Sequence, residues 1–120
     1  MTATEADHTV NLSVPTITGP AAVTTDPRPT ITWSNDPGAS GYEIWIKNTS
    51  TGQNPYLVTT SSTNSFTPSE DPGIGVYDIW VRSYRTGGIY GGWSARYRTQ
   101  IIAPVTIAEE HEAVDGKTDF

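Results

Sequence analysis

The chain of 120 residues has no cysteine, only two histidines, and no apolar run approaching the ~18 residues of a membrane-spanning helix. Without cysteine there are no disulfides, no thiol nucleophile and no thiolate metal site, so the core has to hold by packing alone. His8 and His111 lie near the two ends, where we expect them to be solvated. That leaves no interior imidazole for a nucleophilic triad. The opening stretch, MTATEADHTV, lacks both the basic and the apolar part of a signal peptide. The expectation is a piece of something larger, with any export signal outside this chain.

Basic residues are also few, and the formal charge of −6 is unevenly placed. Residues 1–12 hold Glu5 and Asp7 without a base, and residues 108–120 hold Glu109, Glu110, Glu112, Asp115 and Asp119 against Lys117. Between them, six acids (Asp26, Asp36, Glu43, Glu70, Asp71, Asp78) stand against six bases (Arg28, Lys47, Arg82, Arg85, Arg96, Arg98). A neutral body under acidic ends argues against a nucleic-acid or anionic-membrane surface, since both need clustered Lys and Arg.

What is abundant is Thr (19), Gly (11), Ser (10) and Pro (9), a supply of β-branched and turn-forming residues that favours strands over helices. This length suits one domain with a single core, burying about two thirds of the unfolded surface. No window sustains a 3.6-residue apolar period. Seven short strands are predicted instead: near 13–18, 29–34, 42–47, 56–60, at Phe66, over 76–85 and over 93–102, with turns at Asn35-Asp36-Pro37-Gly38, Thr51-Gly52 and Asp71-Pro72-Gly73. Alternation turns Tyr42, Ile44 and Ile46 inward and Glu43, Trp45 and Lys47 outward. Likewise Tyr77, Ile79, Val81 and Ser83 face in, and Asp78, Trp80, Arg82 and Tyr84 face out. Short, evenly spaced strands without helices describe an all-β, antiparallel β-sandwich.

Within that pattern stand a proline-rich first strand, Trp33 in the second, Gly41-Tyr42-x-Ile44 opening the third, Tyr77-x-Ile79-x-Val81 in the sixth and Gly92-Trp93-Ser94 before the last. Together they resemble a fibronectin type III module over roughly residues 13–107. The resemblance implies an immunoglobulin-like, seven-stranded sandwich with residues 1–12 and 108–120 as tails or linkers. It implies Trp33, Tyr42, Tyr77 and Trp93 as packing residues, with Tyr77 as a tyrosine corner bonding to nearby backbone. It also implies an extracellular or cell-surface place in a bacterial-type exported protein. The family carries a Leu six residues before the corner tyrosine; here that residue is Asp71, and Ile74 is the candidate to fill the gap.

Tyr42-Glu-Ile-Trp-Ile-Lys47 and Tyr77-Asp-Ile-Trp-Val-Arg82 repeat one pattern 35 residues apart. Two copies inside one sandwich cannot stack as a solenoid; they read as antiparallel neighbours in similar surroundings. Setting Trp45 opposite Trp80 also sets Glu43 against Arg82 and Lys47 against Asp78, and a shift of two residues loses both charge pairs. Arg96 and Arg98 of the last strand fall beside this ladder, able to stack on Trp80.

Outward Trp45 and Trp80 are the leading candidates for function, because large aromatics on a strand's solvent side cost solubility unless something covers them. One reading is a platform for a protein partner or a sugar ring, with Glu43, Asp78, Arg82 and Tyr84 as polar neighbours. Another is that Arg and Lys stems and the neighbouring Trp already cover them, and a third that an adjoining module or a tail of this chain packs there. Tyr90, in the Gly87-Gly88-Ile89-Tyr90-Gly91-Gly92 loop, is either a further contact or a plain hairpin tip. Glu43 and Asp78 do not read as a catalytic pair, since neither sits in a desolvating cleft. Asp26, Asp36, Glu70 and Asp71 form no Asp-x-Asp-x-Asp run for calcium, and Asp26-Pro, Asp36-Pro and Asp71-Pro read as ordinary turn starters. The sequons at Asn11 and Asn48 matter only in a glycosylating host. The expectation is a non-catalytic structural or adhesive module with no cofactor and no metal. Its partners would be neighbouring domains or another surface protein. Two alternatives stay open: a carbohydrate-binding module, and a subunit that self-associates by docking residues 1–12 or 103–120 as a strand.

Overall fold

Alternation of side chains along two long strands sets the architecture, and the computed structural model describes residues 12–104 of it. In chain order the elements are β1 (Ile17–Gly19), β2 (Val23–Thr24), β3 (Ile31–Trp33), β4 (Gly41–Asn48), β5 (Gln53–Ser61), β6 (Ser65–Phe66), β7 (Gly75–Arg85), β8 (Ile89–Tyr90) and β9 (Tyr97–Ile101). The described residues contain no helix. One small sheet has the order β1-β3-β6; the larger has β2-β9-β7-β4-β5, with β8 paired to β7. The result is a β-sandwich-like all-β fold.

Nine strand segments stand where the sequence suggested seven. The additions, β2 and β8, are two residues each. β2 runs parallel to β9, with Gln100 N–H donating to Ala22 O and Ile102 N–H to Thr24 O, so the ladders are not all antiparallel. A two-residue run without alternation leaves no periodic signal in the sequence.

Both sheets turn their apolar rows inward. Ile31 and Trp33 of the small sheet meet Tyr42, Ile44, Ile46, Tyr77, Ile79, Val81 and Ile101 of the large one, and all are buried. Trp33 and Tyr42 pack edge-to-face, centroids 5.4 Å apart, and Tyr42's hydroxyl accepts the Asp36 N–H at 2.7 Å. The inward set expected on β4 and β7 is the set observed.

The β4–β7 register pairs Trp45 with Trp80, Glu43 with Arg82 and Lys47 with Asp78, as charge complementarity predicts. It also sets Gly41 opposite Tyr84, whose ring lies so close that a Cβ on Gly41 would come within 2.7 Å of the hydroxyl oxygen. The hairpin from β7 to β8 turns on Gly87 and Gly88, at φ +99° and +83°, where side chains are disfavoured.

Tyr77 is buried with its hydroxyl 2.6 Å from Pro72 O and 2.9 Å from Gly73 O. Ile74, expected to replace the missing Leu, is 67% exposed and fills nothing. The loop acids begin turns: Asp26 accepts from Arg28 N–H, Asp36 from Gly38 N–H and Asp71 from Gly73 N–H. Asn48 is buried, its Oδ1 accepting from Ser50 and Thr51 N–H, so that sequon is a turn inside the fold. Asn11, both histidines, residues 1–11 and residues 105–120 lie outside the described residues.

Candidate functional site

The outward face of the large sheet collects the aromatic residues left over from the core. β4 contributes Trp45 and β7 contributes Trp80, opposite each other and half-buried. The third ring comes from a segment outside any strand. Residues 91–94 track β7 through Gly91 N–H to Ser83 O (2.9 Å) and Ser94 N–H to Val81 O (2.8 Å). Ser94 Oγ, turned inward, accepts the Val81 N–H at 3.1 Å. By alternation Trp93 is thrown outward. It is 37% exposed and meets Trp45 edge-on at 6.3 Å and 80°. Trp93, expected in the packing set, is therefore a surface residue; the Gly-Trp-Ser signature did not reveal on which side of the chain it falls.

Trp45, Trp80 and Trp93, with Asn54 and Ser94, line a shallow hollow of about 470 Å³. Trp45 Nε1 donates to Asn54 Oδ1 at 2.8 Å, which fixes the ring and brings the start of β5 to the rim. Beside the hollow, the Arg82 guanidinium lies 3.9 Å from the Tyr90 ring centroid and 4.5 Å from that of Trp93. Its Nε donates to Glu43 Oε1 at 2.8 Å, and Nη2 lies 2.7 Å from the same oxygen. Tyr84 and Tyr90 approach at 6.1 Å. Glu43, Arg82, Trp93, Tyr90 and Tyr84 thus form one continuous layer, with Tyr90 51% exposed at its end. The Gly-rich loop returns Tyr90 over the face instead of projecting it as a free tip.

Two expected partnerships differ. Asp78, assigned outward, is only 3% exposed, and its partner is Arg98 of β9 rather than Lys47. Arg98 Nε and Nη2 donate to Asp78 Oδ1 and Oδ2 at 2.7 and 3.0 Å. That two-point grip explains why Arg98 does not stack on Trp80: its planar fork matches the carboxylate. Hydrogen bonding from Arg98 holds the Asp78 carboxyl below its ordinary range against the opposing effect of burial, with Arg98, Arg96 and Lys47 charges assisting. Burial, with the electrostatic influence of Tyr56 and Asp71, pushes the Tyr77 hydroxyl up. The lowered pKa suits Asp78 to being a carboxylate anion and not to donating a proton. Among the described residues, no group of three or more His, Cys, Asp or Glu gathers to hold a metal. The arrangement offers apolar ring surface, one fixed carboxamide and a cation between two rings, which suits reversible binding. No protein-family model matches the chain, and no curated protein matches it.

Proposed function

We propose that this chain is a non-catalytic, fibronectin type III-like module of a larger extracellular protein, and that it binds a protein partner through the Trp45–Trp80–Trp93 hollow. The topological part is supported by strand order. With β2 counted as a continuation of the first strand and β8 as the tip of a hairpin, β1, β3 and β6 face β5, β4, β7 and β9, three strands against four. The corner-like bonding of Tyr77 supports it too. The binding part is carried by one observation: three tryptophans share the outward face of one sheet and bound a single open hollow. Aromatic anchors beside a polar rim are what interface centres are made of.

A sugar ligand is the second reading, favoured by the perpendicular Trp45–Trp93 pair with the Asn54 carboxamide at its edge. One ring would stack beneath a pyranose while the other walls it. Self-association is the third, favoured by the β5 edge, nine residues without a charge and, among the described residues, unpaired on its outer side.

Affinity electrophoresis against a polysaccharide panel, with wild type beside Trp45→Ala and Trp80→Ala and thermal melts of all three, separates these readings. The protein-partner reading expects no retardation and a Trp80→Ala melt close to wild type. Retardation of the wild type alone establishes the sugar reading. Melts clearly lowered in both variants, without retardation, make the rings mere bracing and sink both binding readings.

A further inference from the structure

The two sheets do not close evenly along the side of β5. β6 is only two residues long, and the loop that follows sends neither Asp71 nor Ile74 inward, since both are exposed. A cavity of about 240 Å³ remains between the inward faces. Ile31 and Phe66 wall it from the small sheet, Ile46, Tyr56 and Leu57 from the large one, and Tyr77 stands at its base. Tyr56 and Tyr77 meet edge-on at 5.8 Å, so three aromatic rings border the space. Thr59, Ser69 and Glu70 lie at its margin, and Arg28 Nη1 holds the loop there by donating to Ser69 O at 3.2 Å.

The polar side-chain atoms of Tyr77 and Thr99 are already committed, and Thr59, Ser69 and Glu70 stand only at the margin. The Tyr77 hydroxyl faces Pro72 O and Gly73 O, and Thr99 Oγ1 donates to Ala21 O at 2.7 Å. Water placed inside would find few partners, and apolar cavities of this kind hold apolar guests instead. Size narrows the class. A cavity of ~150 Å³ takes benzene, so the larger space here admits a second fused ring. The Glu70 carboxylate at the margin disfavours an anion.

We propose that this inter-sheet cavity is a binding site for a small, uncharged, fused-ring aromatic molecule of indole or naphthalene size. The guest enters beside Thr59 and packs its ring edges and faces against Tyr56, Phe66 and Tyr77. The site lies on the opposite side of the large sheet from the tryptophan hollow and is independent of it.

The test uses the full chain with ¹³C-labelled methyl groups and indole as the probe. Expected are intermolecular contacts from indole protons to the methyls of Ile31, Ile46 and Leu57. Contacts confined to Val58 or to the Trp side chains, or no contacts up to indole's solubility limit, overturn the proposal. Thr59→Phe places a ring at the entrance without orphaning a partner, because no hydrogen bond of the Thr59 side chain exists among the described residues. It is expected to weaken indole at least about tenfold, whereas Trp45→Ala keeps affinity within about twofold. Unchanged affinity in Thr59→Phe, or a tenfold loss in Trp45→Ala, also overturns it. Direct contacts in the wild type decide the matter even if a variant folds poorly.

Discussion

Asp78 lies in the middle of the outward face yet is almost wholly buried, because the Arg98 side chain covers it and supplies both of its hydrogen bonds. The two members of this pair are unequal. Arg98 is half exposed and can return to water, while Asp78 cannot. Removing Arg98 therefore leaves a buried carboxylate without its donors, the costlier way to break such a pair. Arg98→Ala should lower the melting temperature clearly, and Arg96→Ala, an exposed neighbour acting only through its charge, should barely move it. The pH dependence follows from the sign. Asp78 has a folded-state pKa below its unfolded value, so its contribution is complete above the unfolded value of ~4 and is lost as pH falls through the folded one. The melting difference between wild type and Arg98→Ala should accordingly shrink when both are acidified below pH ~3. A gap that stays constant down that range would mean the pair does not account for the stability. Tyr77 tests a neutral contact in the same way. Tyr77→Phe removes one hydroxyl that faces two carbonyls and should cost ~1–2 kcal/mol, read as a lower urea midpoint at unchanged slope.

At the scale of elements, β7 organises the face, and what it holds was unevenly legible in the sequence. Its pairing with β4 was readable because both strands alternate and carry complementary charges at matching offsets. Burial of Asp78 was not readable, since it depends on a third strand whose register nothing local to β7 encodes. Nor was the side taken by Trp93, which is set by hydrogen bonds from residues 91–94 to β7 in a stretch that the sequence marks only as Gly-rich. The grip of Arg82 on Tyr90 belongs here as well. Two glycines make the turn after β7 intrinsically loose, and the cation between Tyr90 and Trp93 fastens β8 to the sheet. Each such contact is worth ~0.5–1 kcal/mol at an exposed site. Arg82→Ala should therefore speed amide hydrogen exchange at Ile89–Gly91 by about tenfold while leaving Ile44 and Ile79 protected. Glu43→Gln keeps the guanidinium between the rings and should change exchange there much less. Equal acceleration in both variants would place the fastening in the ion pair instead.

For the molecule as a whole, the described body has as many bases as acids, so the −6 resides entirely in residues 1–11 and 105–120. The body alone is then a neutral particle with Tyr90 and Trp93 exposed on one face and an uncharged β5 edge beside it. Near-zero net charge promotes association, and unpaired uncharged edges supply a template for it. A fragment of residues 12–104 should scatter light increasingly with concentration at neutral pH, while the full chain stays dispersed by repulsion between its acidic ends. Added salt screens that repulsion over ~10 Å at 0.1 M and should bring the full chain toward the fragment. Assembly through a terminal strand predicts the reverse order. In that case the full chain, which carries Val105-Thr106-Ile107, associates in a saturable step, and the fragment, having lost the donor, stays monomeric. One pair of concentration series therefore distinguishes ends that keep copies apart from ends that join them.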